Sequence, residues 1–181
     1  ERLVILSLLL LIKPKRTLEF GCADAGLTYW LSQYSGEVVT VDVDPKVLTV
    51  TKLFGNVTPL CMTTEEASRL IEREGKHFDL TIIDADHSLS GVKRDLENVI
   101  SYSDVIVLHD TYYPPCRAGI LGALAGRNIY FDLDLVPGGL QPDGLWGGLG
   151  IVVPAWPLRP RGYIPLCQDR IGHSSPIILC R

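Results

Sequence analysis

Thr17-Leu18-Glu19-Phe20-Gly21-Cys22-Ala23-Asp24-Ala25-Gly26 reads as a short buried strand that stops at Gly21, turns, and enters a helix after Gly26. A strand that feeds a glycine turn and a helix start is a common cofactor loop of α/β domains. Gly21 permits backbone angles that a Cβ forbids and lets a ligand approach the main chain. The first helical turn beyond it offers unpaired N–H groups to an anion. Taken alone, a glycine pair fits a plain strand–helix turn equally well, so the remaining chain has to decide.

Two nucleotide loops can be tested against these residues. A P-loop needs Gly, four residues, then Gly-Lys-Ser/Thr; Gly21 and Gly26 have that spacing, but Leu27 stands where the lysine belongs. The dinucleotide fingerprint needs Gly-x-Gly-x-x-Gly; position 23 is Ala, and Asp24 puts a carboxylate where a pyrophosphate would sit. A cofactor without phosphates fits better. Leu-Glu-Phe-Gly-Cys-Ala-Asp-Ala-Gly resembles the first motif of class I S-adenosylmethionine (SAM)-dependent methyltransferases, whose loop contacts the amino-acid end of the cofactor.

Outward from the loop, strands and helices alternate. Residues 27–34 pattern as a helix with Leu27, Trp30 and Leu31 on one face. Glu37-Val38-Val39-Thr40-Val41-Asp42 is a β-branched strand ending in a carboxylate. An acid at that place binds ribose hydroxyls in Rossmann-like folds, and Asp42 takes that role. Residues 46–54 read as a helix and 57–62 as a third strand, whose end would approach adenine through Cys61, Met62 and Thr63. Thr63 or Thr64 caps the next helix, with Glu65 and Glu66 at its positive end. Residues 78–84 form a mostly apolar central strand and 104–108 a fifth. A helix then ends near Gly126, and strands at 130–136 and 149–153 flank a Gly- and Pro-rich connection. The resulting expectation is a Rossmann-like, doubly wound α/β domain. Its mostly parallel, seven-stranded sheet has an antiparallel last strand and helices on both faces. Residues 1–154 form the domain, and 155–181 a Pro/Arg-rich arm or tail.

A second constellation lies beyond the fourth and fifth strands: Asp84, Asp86, His87, His109 and Asp110. Crowded carboxylates repel, and a divalent cation would relieve them. The bland alternative is a helix-entry turn at Asp86-His87 beside a hydrogen-bonded His109–Asp110 pair. Residues 78–97 together with Val-Ile-Val-Leu-His-Asp-Thr at 105–111 resemble one branch of class I methyltransferases. That branch comprises the metal-dependent sugar O-methyltransferases and the related cephalosporin hydroxylases. The resemblance spans about residues 1–125 and is most specific at 78–111. It implies cofactor contacts from Glu19, Gly21, Cys22, Ala23, Gly26, Asp42, Val43, Met62, Thr63 and Asp84. It also implies Mg²⁺ or Mn²⁺ held by Asp84, His109 and Asp110, and His87 as base. His109 stands where the branch usually has an acid.

The implied activity is SAM-dependent O-methyl transfer to a hydroxyl of a small molecule. A non-methylating or hydroxylase-like relative, an NAD-dependent oxidoreductase and a non-catalytic interaction domain are the alternatives. A net charge of −4 gives no sign of a nucleic-acid face. Five widely spaced cysteines suit free thiols in a reducing, cytoplasmic setting and contain no zinc motif. The apolar run at residues 3–12 is shorter than the about 20 residues of a membrane span and reads as a buried helix covering the sheet. No membrane partner is expected, and a homo-oligomer is compatible with the sequence. The chain starts at Glu1 without a methionine, so a preceding segment is expected.

Overall fold

The computed structural model describes residues 1–124, 129–133 and 139–154. The expected helix end near Gly126, the strand residues 134–136 and the 155–181 segment lie outside the described residues. The elements are α1 (Arg2–Ile12), β1 (Arg16–Phe20), α2 (Gly26–Tyr34), β2 (Glu37–Asp42), α3 (Val47–Val50), β3 (Val57–Cys61) and α4 (Thr64–Glu74). They continue with β4 (Phe78–Ile83), α5 (Leu89–Val99), β5 (Ser103–His109), α6 (Pro114–Ala123), β6 (Ile129–Leu133), β7 (Gly139–Gln141), β8 (Gly144–Trp146) and β9 (Leu149–Val153).

The main sheet has seven strands in the order β3-β2-β1-β4-β5-β9-β6. The five strands β1 to β5 are parallel, and β9 runs antiparallel between β5 and β6. The expected mixed sheet is therefore observed. Its order reverses at β1, which places the carboxyl ends of β1 and β4 side by side. That crevice is where open α/β sheets bind ligands.

Strand side chains alternate between faces, and the core divides accordingly. Leu18, Phe20, Val39, Val41, Ile83 and Leu108 pack with Ile71 of α4, Leu96 of α5 and Ile120 of α6. Val38, Leu80, Ile82, Val107 and Leu149 pack with Ile5 and Leu9 of α1 and Leu31 of α2.

Three expectations need correction. The run at 3–12 is a helix, but only Ile5 and Leu9 of it are buried; Leu3, Leu10 and Leu11 are exposed. An eleven-residue helix turns its apolar residues through all directions, and one stripe meets the sheet. The helix expected over 46–54 shrinks to the single turn of α3. Its β-branched run disfavours helix, and Thr51 Oγ1 donates back to the Val47 carbonyl at 2.6 Å. Finally, the connection before β9 contains its own two-stranded hairpin, β7–β8. At the far edge, among the described residues β3 pairs only with β2 and carries Pro59 opposite Thr40; an edge strand tolerates the missing N–H.

Among the described residues no helix is long and apolar enough to cross a membrane. Cys22, Cys61 and Cys116 are unbridged.

Candidate functional site

The turn after β1 is wound tightly. Gly21 has φ +91°, and a Cβ there would overlap the Asp84 carbonyl oxygen. Ala23 and Ala25 also take left-handed backbone angles, φ 46° and 60°. The carboxylate of Asp42 holds this winding in place. Its Oδ2 accepts from the N–H groups of Cys22 at 2.9 Å and Ala23 at 3.0 Å, and its Oδ1 from Asp44 N–H at 2.9 Å. Burial alone would raise the Asp42 pKa, but these backbone donors together hold it below the ordinary carboxylate range. Both lone pairs of Oδ2 are thus used by the loop.

Glu19 is placed differently from the expected cofactor contact. It is wholly buried under the loop, and its Oε2 accepts from Thr28 and Thr40 hydroxyls, both at 2.6 Å. Burial pushes its pKa up to about 7 against the effect of those two hydrogen bonds. Glu19 points to the α2 face because it alternates with Leu18 and Phe20, so it ties β1, β2 and α2 together beneath the cleft.

Above the loop lies a cleft of about 740 Å³. Gly21, Cys22, Ala23, Gly26, Asp42, Val43, Met62, Thr63 and Asp84 line it, as does His87. The lining also includes Asp24, Ala85, Asp86 and Arg94, which sequence reasoning did not assign to the cofactor. Asp24 pairs with Lys46 at the exposed rim. Arg94 reaches the cleft from the second turn of α5, between Asp86 at 3.5 Å and Asp95 at 3.6 Å. No linear motif announces it; only the helix entry capped by Ser88 brings it round. Thr63 caps α4 in a reciprocal capping box with Glu66.

At one end of the cleft the second constellation assembles. Asp84 follows β4, and Asp110 follows β5 with a left-handed backbone, φ 53°. His87 Nε2 lies 2.9 Å from Asp110 Oδ2 and 3.3 Å from Asp84 Oδ1. His109 Nδ1 lies 3.0 Å and 3.4 Å from the same two oxygens. Two imidazoles therefore bracket two carboxylates. Asp86 stands aside, its Oδ1 accepting from Ser88 N–H at 2.9 Å as the helix-entry turn requires.

The charges balance within this group. Hydrogen bonds to Asp110 and then Asp84 raise His87 to about 9. Burial works against His109, yet the same carboxylates raise it to about 11. Burial likewise opposes ionisation of Asp84, but the histidines bring it down to about 2, and Asp110 falls lower still. Repulsion between carboxylates, the sequence argument for a cation, is already relieved by two imidazolium ions.

The residues nonetheless suit one. Asp84, His87 and Asp110 offer ligand atoms all within 4.8 Å of one another. His109 Nδ1 is buried and faces the same two carboxylate oxygens, so it could join them only after giving up its proton. His109 Nε2 is held by Glu1 Oε2 at 3.0 Å, and Glu1 Oε1 accepts from Gly148 N–H at 3.0 Å. That link joins residues 108 positions apart and had no signal in the sequence.

No protein-family model and no curated protein matches the chain. Solved structures do. An O-methyltransferase from Bacillus cereus in complex with SAH is 21% identical with TM-score 0.66, over 83% of this chain and 79% of its own. The O-methyltransferase TomG of tomaymycin synthesis from Streptomyces achromogenes, in complex with SAM, is 17% identical with TM-score 0.66, over 83% and 78%. The N-methyltransferase NodS from Bradyrhizobium japonicum, in complex with S-adenosyl-L-homocysteine (SAH), is 16% identical with TM-score 0.63, over 84% and 85%. The chain has the class I SAM-dependent methyltransferase fold. Oxygen and nitrogen methylators share that fold, so the acceptor atom has to be argued from the site.

Proposed function

We propose that this protein is a SAM-dependent methyltransferase that methylates a hydroxyl of a small molecule. The observation that carries the reading is the cleft itself: a loop at Gly21–Gly26 without the P-loop lysine or the dinucleotide glycines, a carboxylate at Asp42, and His87 in the same lining. SAM would lie with its amino-acid end at the loop, its ribose at Asp42 and its adenine near Met62 and Thr63. Gly21, Cys22, Ala23, Gly26, Val43 and Asp84 complete the contacts, and Glu19 supports them from below.

His87 is the proton acceptor in this reading because it faces the cleft. Its contacts with Asp110 and Asp84 raise its pKa to about 9, so the neutral ring that accepts a proton becomes more populated as pH rises toward that value. Asp84, Asp110 and His109, the last only after losing its Nδ1 proton, are the residues that would hold a Mg²⁺ or Mn²⁺ ion. When bound, the ion would supply Lewis-acid lowering of the hydroxyl pKa. Asp110 and Asp84 orient the His87 ring, and the loop fixes the sulfonium in line with the acceptor; such alignment can contribute on the order of 7–11 kcal/mol. The chain is expected to act in the cytoplasm, without nucleic-acid or membrane partners.

The test is thermal stability with SAH, NAD or ATP, each with Mg²⁺ or a chelator. A ligand at 100 times its Kd adds about 2.7 kcal/mol, raising Tm by roughly 5–10 °C for a chain of this size. A shift with SAH is expected. A shift with NAD and none with SAH overturns the proposal. An additional shift that needs Mg²⁺ supports the ion.

A further inference from the structure

The β7–β8 hairpin leaves its last strand directly against the second constellation. Trp146 lies with its ring centroid 5.2 Å from that of His87, tilted 57°. Its indole is itself fixed. Tyr113 stacks on it at 4.2 Å and 17°, and its N–H donates to Asp143 Oδ1 at 2.9 Å. The next residue, Gly147, donates its N–H to Asp110 Oδ1 at 2.7 Å and accepts from Tyr112 N–H at 3.0 Å. The approach is close enough to require glycine: a Cβ on Gly148 would press on Thr111 Oγ1 at 2.6 Å and on the Tyr112 ring at 3.0 Å.

We propose that Trp146 is the positioning residue of His87, and that the hairpin exit sets the acceptor-side geometry through Trp146 and Gly147 together. The proposal rests on the reading of His87 as proton acceptor, but its physical content is independent of any ligand. An imidazole has two free side-chain torsions. The carboxylates of Asp84 and Asp110 restrain one edge of the His87 ring through Nε2. They leave the ring free to pivot about that edge. The indole closes this freedom by occupying the space beside the ring. Because Tyr113 and Asp143 hold the indole in one orientation, His87 inherits that orientation. Aromatic contacts of this kind contribute about 0.5–1.5 kcal/mol, enough to favour one ring pose about twofold to tenfold. The same segment fixes Asp110, so the base and its carboxylate partner are aligned by one short piece of chain. Movement of the hairpin would therefore disorder both at once.

Long-range ¹H–¹⁵N spectra of the imidazoles, recorded on the ligand-free full chain, test this directly. His87→Gln assigns the His87 signals, and His77, which pairs with Asp104, is the internal control. In Trp146→Leu the His87 signals are expected to shift and broaden while His77 stays in place. Trp146→Phe, which keeps a ring, is expected to restore a single sharp set. Unchanged His87 signals in Trp146→Leu overturn the proposal, and so does an equal disturbance of His77, which would mark a general loss of structure. Should Trp146→Leu fail to fold, Tyr113→Leu removes only the stacking partner and is expected to broaden His87; sharp signals there overturn the proposal as well. SAH binding by the wild type is measured separately, so its failure would count against the proposed function and not against the role of Trp146.

Discussion

Glu19 shows how one carboxylate can serve the fold while appearing to belong to a ligand. Its folded pKa of about 7 lies above the value of 4.5 it has when free. Between those values the unfolded chain has already given up a proton that the folded chain retains. Stability from this group therefore declines as pH rises through that window, by on the order of 3 kcal/mol in full. Urea unfolding at pH 5 and pH 8 should reveal this slope in the wild type, and Glu19→Gln should flatten it. An unchanged slope in the variant would assign the pH dependence elsewhere. His87 gives the complementary prediction. His87→Ala should lower methyl transfer from labelled SAM to a hydroxyl acceptor by about 10²- to 10⁴-fold, the usual contribution of a general base, while SAH affinity stays nearly constant. Equal losses in both would remove His87 from the base role. Gly21 and Asp42 were legible in the sequence because strand ends are marked by local pattern. The Glu1–His109 contact and the arrival of Arg94 in the cleft were not, since both depend on how distant segments pack.

Among the elements, α1 separates pattern from environment most clearly. Its run of leucines and isoleucines identifies a helix, yet with Ser7 the one polar residue in the run its periodicity only weakly says which stripe faces inward. Leu9 is 1% exposed and Leu10 is 54% exposed. Leu9→Ala is expected to cost about 2–5 kcal/mol, whereas Leu10→Ala should change stability by under about 0.5 kcal/mol. Paired chemical denaturation curves decide the matter, and similar costs at the two positions would mean that the outer stripe is covered in solution. The capping box at Thr63 was readable because its chemistry is local. The β7–β8 hairpin was not. Its strands are three residues each, and their pairing lies within a stretch whose glycines read as loop.

At the scale of the whole molecule, the sheet order puts both constellations on one edge of the domain. β1 and β2 supply the loop and Asp42, while β4 and β5 lead to Asp84 and Asp110, and their parallel register keeps the four ends level. This much followed from alternating strand and helix patterns, because a parallel sheet aligns its carboxyl ends whatever the details. The same sheet has an outer boundary at β3, and Pro59 stands in the middle of it. An open strand edge offers unpaired N–H and C=O groups to any other extended chain. A proline there withholds one donor, so a neighbouring molecule cannot zip along β3 without a gap. The consequence concerns solubility at high concentration and not catalysis. Pro59→Val should leave SAH binding intact but increase light scattering on prolonged incubation near the unfolding temperature. If scattering does not rise, the boundary is guarded by something other than the missing hydrogen.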